Sequence, residues 1–159
     1  MPAVIAAALQ NARIAAGDRA KVALDVGPLG QLLEPFGELT EEEAAAAFRA
    51  VFAAGASADL VVLETFFDLT ELTLALRAAK ETLPEKPVFA TMTFQAGGRT
   101  LTGVTVADMA EALEARGADA IGLNCSLGPK ELLPLARELA SWTSLPLVIK
   151  PNAGLPAPA

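Results

Sequence analysis

The sequence predicts an α/β fold built around a parallel sheet. Short apolar segments alternate along the chain with longer segments whose apolar residues recur at helical spacing. Successive predicted strands start about 26–38 residues apart, which suits strand–helix–strand units with right-handed crossovers. Hydrophobic residues make up 53% of the chain, which excludes intrinsic disorder.

The helices are predicted from caps and periodicity. The first is Ala-rich and ends at Gly17 and Asp18, and the second follows Thr40, which forms a capping box with Glu43. Asp68 is the expected N-cap of the third. The predicted helices are 2–16, 41–54, 69–82, 106–116 and 130–141.

The strands are predicted from short apolar runs bounded by turn residues. The first run, 21–26, is closed by Gly27 and Pro28 and is expected to be buried on both faces. The remaining runs lie between the predicted helices and follow the same pattern. The predicted strands are 21–26, 59–64, 87–93, 119–124 and 145–150.

The length limits how these units can be arranged. A closed eight-unit barrel takes about 250 residues, with about 200 as the lower end, and this chain has 159. An open doubly wound sheet and part of a barrel remain as alternatives. Two observations favour the partial barrel. Polar residues follow the strands directly, and the chain ends after a strand with no covering helix. We expect a single domain over 1–159, because no composition shift marks an internal boundary.

Composition excludes several functions. The net charge is −7, which disfavours nucleic-acid binding. The chain has no His, so it provides neither a Ser-His-Asp triad nor a His metal ligand. No apolar run reaches about 18 residues, and no signal peptide is visible. One Cys fits a reducing compartment. We therefore expect a cytoplasmic protein with no membrane partner.

Three residues at predicted strand ends are candidates for chemistry. Cys125 is either a small buried apolar residue or a thiolate near a helix N-terminus. Glu64 either is exposed or binds a cation such as a substrate ammonium. Asp25 has the same two interpretations, and it also fits a hydrogen bond to the turn at Gly27 and Pro28. The sequence has no glycine-rich phosphate-binding motif.

Several motifs, in their order along the chain, resemble the homocysteine S-methyltransferase family. Within it, the sequence is most similar to the homocysteine-binding module of cobalamin-dependent methionine synthases. The similarity covers nearly the whole chain. The motifs are Leu-Asp-Val-Gly-Pro at 24–28, Leu-Glu-Thr-Phe at 63–66, Met-Thr-Phe at 92–94, Gly103, Gly-Leu-Asn-Cys-Ser-Leu-Gly-Pro at 122–129 and Lys-Pro-Asn-Ala-Gly at 150–154.

The resemblance implies a partial (β/α)8 barrel comprising about five parallel strands, the third to the seventh. It implies that Cys125 is the first of three cysteines that hold zinc, and that Glu64 contacts the substrate ammonium. Asp25, Asn124 and Asn152 match positions that line the pocket. The Gly-Gly-Cys-Cys-Gly motif that carries the other two cysteines is absent from the sequence, as is the Asp-Gly motif of the first two strands.

The implied activity is methyl transfer to homocysteine to give methionine. Zinc would convert the homocysteine thiol to a thiolate, which accepts a methyl group from methylcobalamin carried by another module. One cysteine does not hold catalytic zinc tightly, so we expect little or no activity from this chain alone, with the missing barrel segments as partners. Two alternatives remain: a non-catalytic α/β module or subunit that contributes Glu64 and Cys125 to a composite site, and an inactive truncated remnant.

Overall fold

The computed structural model describes residues 2–154, in which helices and strands alternate strictly. The helices are α1 Pro2–Ala16, α2 Glu41–Ala54, α3 Leu69–Thr82, α4 Val106–Glu114 and α5 Pro129–Trp142. The strands are β1 Ala23–Val26, β2 Leu60–Phe66, β3 Val88–Met92, β4 Ala120–Asn124 and β5 Leu147–Lys150.

The strands form one parallel sheet in the order β1-β2-β3-β4-β5. Each helix contacts the next one along the chain, from α1 to α5. A doubly wound sheet reverses its strand order at a switch point, and this sheet has no reversal. The predicted fold class is confirmed as a partial barrel, and the sequential order distinguishes it from the doubly wound alternative.

The predicted bounds of α1, α2 and α3 agree with the structure, and the larger differences lie in the strands. The predicted strand 59–64 begins one residue later and continues to Phe66. The extension contains an irregularity, because the pairing with β3 shifts register between Leu63 and Phe66. Thr65 lies inside this shift with a positive φ of 68°. The local backbone conformation therefore differs from that of a regular strand immediately after Glu64.

The hydrophobic core lies between the sheet and the helices. Three phenylalanines pack at its centre: the ring of Phe48 lies 6.3 Å from that of Phe52 and 6.2 Å from that of Phe66. All three are fully buried. The core also contains the helix-facing side chains of the strands, such as Leu24, Val61, Leu63, Ile121 and Leu123.

The other face of the sheet is more open. In β1, Leu24 and Val26 are buried, whereas Ala23 and Asp25 are exposed. The prediction that this strand is buried on both faces is therefore wrong. The apolar residues in the segment 21–26 do not indicate which face of the strand is covered. Within residues 2–154, one face of the strand has no covering layer. Half-buried apolar side chains continue across this face, which we call the inner face: Val62, Phe89 and Val148.

Among residues 2–154, no helix is both long enough and apolar enough to cross a membrane.

Candidate functional site

Four chemically active side chains come from one edge of the sheet, at the carboxyl ends of its strands. Asp25 lies near the end of β1, Glu64 lies on β2, Cys125 follows β4 directly, and Lys150 ends β5. We call these four residues the carboxyl-edge cluster. In barrels of this type, ligand-binding groups occur at this end of the strands.

Lys150 connects the two sides of the cluster. Its Nζ donates a hydrogen bond to Oε2 of Glu64 and forms an ion pair with it. The two residues lie three strand spacings apart, about 14 Å in a flat sheet. Their contact therefore requires the sheet to curl towards its inner face, as a barrel wall does. The Glu64 side chain is 19% exposed and that of Lys150 is 54% exposed.

Asp25 shares the electrostatic environment of this ion pair. Although the residue as a whole is exposed, partial withdrawal of the carboxyl group from water raises its pKa. The negative charge of Glu64 raises this pKa further, and Lys150 partly opposes both effects. The pKa of Lys150 is raised above its ordinary value, mainly by the hydrogen bond to Glu64 and also by Asp25 and Cys125. Lys150 therefore lies close enough to interact electrostatically with each of the other three members of the cluster.

Asn124 fixes the geometry beside the cluster. This residue is 1% exposed. Its Oδ1 accepts hydrogen bonds from the Thr65 amide at 3.1 Å and from Thr91 Oγ1 at 2.8 Å. Its Nδ2 donates to Thr65 Oγ1 at 2.7 Å and to Cys125 Sγ at 3.3 Å. One buried amide thus joins β2, β3 and the residue that carries the thiol.

Cys125 is half-buried and lies at the end of β4 in an unusual conformation. Its φ is 59° and that of Ser126 is 55°, and Thr65 is the third non-glycine residue with a positive φ among residues 2–154. Such conformations are costly and persist where the surroundings hold them. Thr65 Oγ1 lies 3.6 Å from the Cys125 sulfur, so two of the strained residues are in direct contact.

The structure does not bring the Asn152 side chain into this hydrogen-bond network. Asn152 is exposed, and its backbone N–H donates to the Leu127 carbonyl at 2.9 Å. No hydrogen bond from its side chain to another part of residues 2–154 is present. Its contribution within the described chain is therefore to fix the segment after β5 against the loop that follows Cys125.

The residues present do not fit a zinc site held by this chain alone. A catalytic zinc site takes about three protein ligands and keeps one open position. The sequence has one Cys and no His, and residues 2–154 contain no group of three or more His, Cys, Asp or Glu side chains placed to hold a metal ion. Cys125 is at most one ligand of such a site.

Sequence reasoning missed three residues of this region: Lys150, Thr65 and Thr91. Each belongs to a predicted strand or to a motif, but none was assigned a role. Position at a strand end was the available signal for Lys150, which occupies the same kind of position as Glu64. The roles of the two threonines depend on the Asn124 side chain, which no spacing rule predicts.

Two methionine synthases are similar in sequence to this chain. The sequence is 36% identical over 103 residues to the methionine synthase of Mycobacterium tuberculosis, and equally to that of Mycobacterium leprae. These matches cover 62% of this chain but only 9% and 8% of the two relatives.

Among solved structures, the apo form of the homocysteine methyltransferase MmuM from Escherichia coli matches with a TM-score of 0.78 and 25% identity. The match covers 96% of this chain and 61% of that one. The profile of the homocysteine S-methyltransferase family matches residues 1–159, which is the full length of the sequence. The chain therefore belongs to the homocysteine S-methyltransferase family.

Proposed function

We propose that this chain forms the homocysteine-binding part of an S-methyltransferase that produces methionine. The observation that carries the proposal is the position of Glu64 and Asp25 at the carboxyl edge of the sheet, beside Cys125. A carboxylate that is mostly withdrawn from water binds an ammonium group more strongly than an exposed one does. Glu64 is the carboxylate proposed to bind the ammonium of homocysteine, and Asp25 adds negative charge nearby.

Asn124 and Asn152 have different proposed roles in this site. The polar groups of the Asn124 side chain are already bonded to Thr65, Thr91 and Cys125. We therefore propose Asn124 as a positioning residue, which holds the thiol and the Glu64 end of β2 in place. Asn152 is exposed and is proposed to contact the substrate directly, at the rim of the pocket.

The metal chemistry implied by the family needs more than this chain. Cys125 is proposed as one thiolate ligand of zinc, with its remaining ligands provided by other barrel segments or by a second chain. Methylcobalamin on another module is proposed as the methyl donor because of the similarity to methionine synthases. Activation of the homocysteine thiol by zinc belongs to that completed site, and we assign no catalytic step to Cys125 in this chain.

A composite site is supported by the open sides of the sheet. Within residues 2–154, β1 pairs only with β2, and β5 pairs only with β4. Unpaired strand edges readily pair with another chain. A non-catalytic subunit that contributes Glu64 and Cys125 to such a site is therefore the second candidate function. Co-purification of a chain that carries an adjacent pair of cysteines would favour it.

The proposal predicts that the chain binds homocysteine and that binding depends on Glu64. Binding can be measured by NMR chemical-shift titration of the reduced protein. We expect Glu64→Gln to weaken binding at least about tenfold, because a charge-assisted hydrogen bond is worth about 1.5–3 kcal/mol. Glu85→Gln is the matched control, since it removes an exposed carboxylate that precedes β3, at the amino ends of the strands and away from the cluster. Equal affinity of the two variants would contradict the proposal.

A further inference from the structure

The inner face presents an unusual charge pattern at its carboxyl edge. Two carboxylates, Asp25 and Glu64, face one ammonium, that of Lys150, which reaches across from β5 to β2. Lys150 bonds Oε2 of Glu64, and within residues 2–154 the second oxygen, Oε1, has no hydrogen-bond partner. One acceptor of Glu64 is therefore available to a ligand while Lys150 stays in place.

Lys150 also has hydrogen-bond donors that the described chain does not use. A lysine ammonium has three N–H donors, and the described chain occupies one of them, on Glu64. More than half of the side chain is exposed, at 54%. The ammonium can therefore donate to a ligand without losing the ion pair that holds it.

We propose that Lys150 binds the α-carboxylate of the amino-acid substrate and thereby makes the site specific for a zwitterion. This inference rests on the proposed function. The ligand ammonium takes the free oxygen of Glu64, and the ligand carboxylate takes the free donors of Lys150. The two charged groups of an α-amino acid are attached to one carbon, so they match a carboxylate and an ammonium that are already in contact.

The charge balance explains why this specificity needs Lys150. Without it, two neighbouring carboxylates would attract any small amine and would repel the carboxylate of an amino acid. With Lys150 in place, its like charge beside Glu64 weakens the attraction of a simple amine, which brings no carboxylate to pair with the lysine. The same lysine therefore favours homocysteine and disfavours its decarboxylated analogue.

The test compares ligands on the full chain. Homocysteine, its decarboxylated analogue aminopropanethiol and its deaminated analogue mercaptobutanoate are titrated into the unaltered protein and into Lys150→Met and Lys150→Arg. We expect Lys150→Met to weaken homocysteine binding at least about tenfold and to leave aminopropanethiol binding equal or tighter. Lys150→Arg, which keeps the charge, should preserve most of the preference for homocysteine.

The control is Lys86→Met, which makes the same change of net charge just before β3, at the amino ends of the strands. It should leave all three affinities unchanged. A Lys150→Met protein that keeps its preference for homocysteine, or that loses affinity for both amines equally, overturns this inference and leaves the proposed function standing. Failure of the unaltered chain to bind any of the three ligands overturns the proposed function, and this inference with it.

Discussion

At the scale of single residues, the candidate site depends on side chains that differ in how exposed they are. Glu64 and Lys150 are partly exposed and carry charge. Asn124 is buried, uncharged and bonded through both ends of its amide. The charged residues therefore provide the proposed binding groups, while Asn124 keeps the strained backbone of Thr65 and Cys125 in place.

Removal of the Asn124 amide should destabilise the fold. In Asn124→Ala, the Thr65 amide loses its acceptor, whereas the buried hydroxyl of Thr91 keeps only its longer bond to the Leu63 carbonyl, at 3.3 Å. A buried polar group left unpaired costs about 1–3 kcal/mol. Chemical denaturation should show a free energy of unfolding lower by at least that amount. Asn152→Ala is the control, because an exposed substitution usually changes stability by less than about 0.5 kcal/mol. Equal stability of the two variants would mean that the hydrogen-bond network around Asn124 contributes little.

At the residue level, the sequence predicts positions more readily than roles, and the binding role of Glu64 stays a prediction. Glu64 is noticeable in the sequence because it is a carboxylate directly after four apolar residues, although the strand continues past it to Phe66. Lys150 ends its strand, but its importance comes from a contact with β2, on the far side of two intervening strands. That contact depends on the curvature of the sheet, which apolar periodicity does not encode.

At the scale of elements, one arrangement occurs twice at the amino ends of the strands. Asp59 precedes β2, and its Oδ2 accepts from the Val22 amide at 2.7 Å and from Arg13 at 2.7 Å. Asp119 precedes β4, and its Oδ2 accepts from the Val88 amide at 2.7 Å and from Lys80 at 2.6 Å. Each aspartate thereby connects a helix to the amino end of a neighbouring strand.

Asp59 should make the stability of the chain sensitive to acid. The hydrogen bond from Arg13, followed by that from the Val22 amide, lowers the pKa of Asp59 to about 2. The unfolded value is about 3.9. Because the folded-state pKa is the lower one, the stabilisation is complete above the unfolded pKa and is lost as the pH falls towards about 2.

The measurement is urea denaturation between pH 5 and pH 2. Asp59→Asn should be less stable than the unaltered protein at pH 5, and the difference between the two should shrink as the pH falls. Asp18→Asn is the control, because it removes the same charge from the exposed turn after α1. A difference between Asp59→Asn and the unaltered protein that stays constant over this range would show that the ion pair with Arg13 does not act through protonation.

The helices were the more predictable elements because their limits depend on local capping. The box formed by Thr40 and Glu43 is present as predicted. Asp68 accepts from the amides of Thr70 and Glu71, which fixes the start of α3. Strand limits depend on partners distant in sequence, such as the register shift after Leu63. Helix limits can therefore be predicted from neighbouring residues in a single sequence. Strand pairing depends on contacts that form only in the folded chain.

At the scale of the whole molecule, the chain holds its core on one side of the sheet. The phenylalanine-centred core between sheet and helices is fully buried, whereas the inner face keeps half-buried apolar residues. The chain spans 61% of the Escherichia coli enzyme and about 9% of the mycobacterial relative. The fully buried core of the described chain therefore lies on the helix side of the sheet, whereas the inner face and the carboxyl-edge cluster remain accessible.

This arrangement leads to a prediction about zinc. The purified, reduced chain should not bind one zinc ion tightly per chain, with or without homocysteine, because a single thiolate gives too few ligands. The measurement is a zinc titration against a chromogenic chelator, with Cys125→Ser as the matched variant and sedimentation to give the assembly size. Tight binding of one zinc per monomer that Cys125→Ser abolishes would refute the prediction. Zinc bound at one ion per two or three associated chains, and lost in Cys125→Ser, would instead identify Cys125 as a ligand shared between copies.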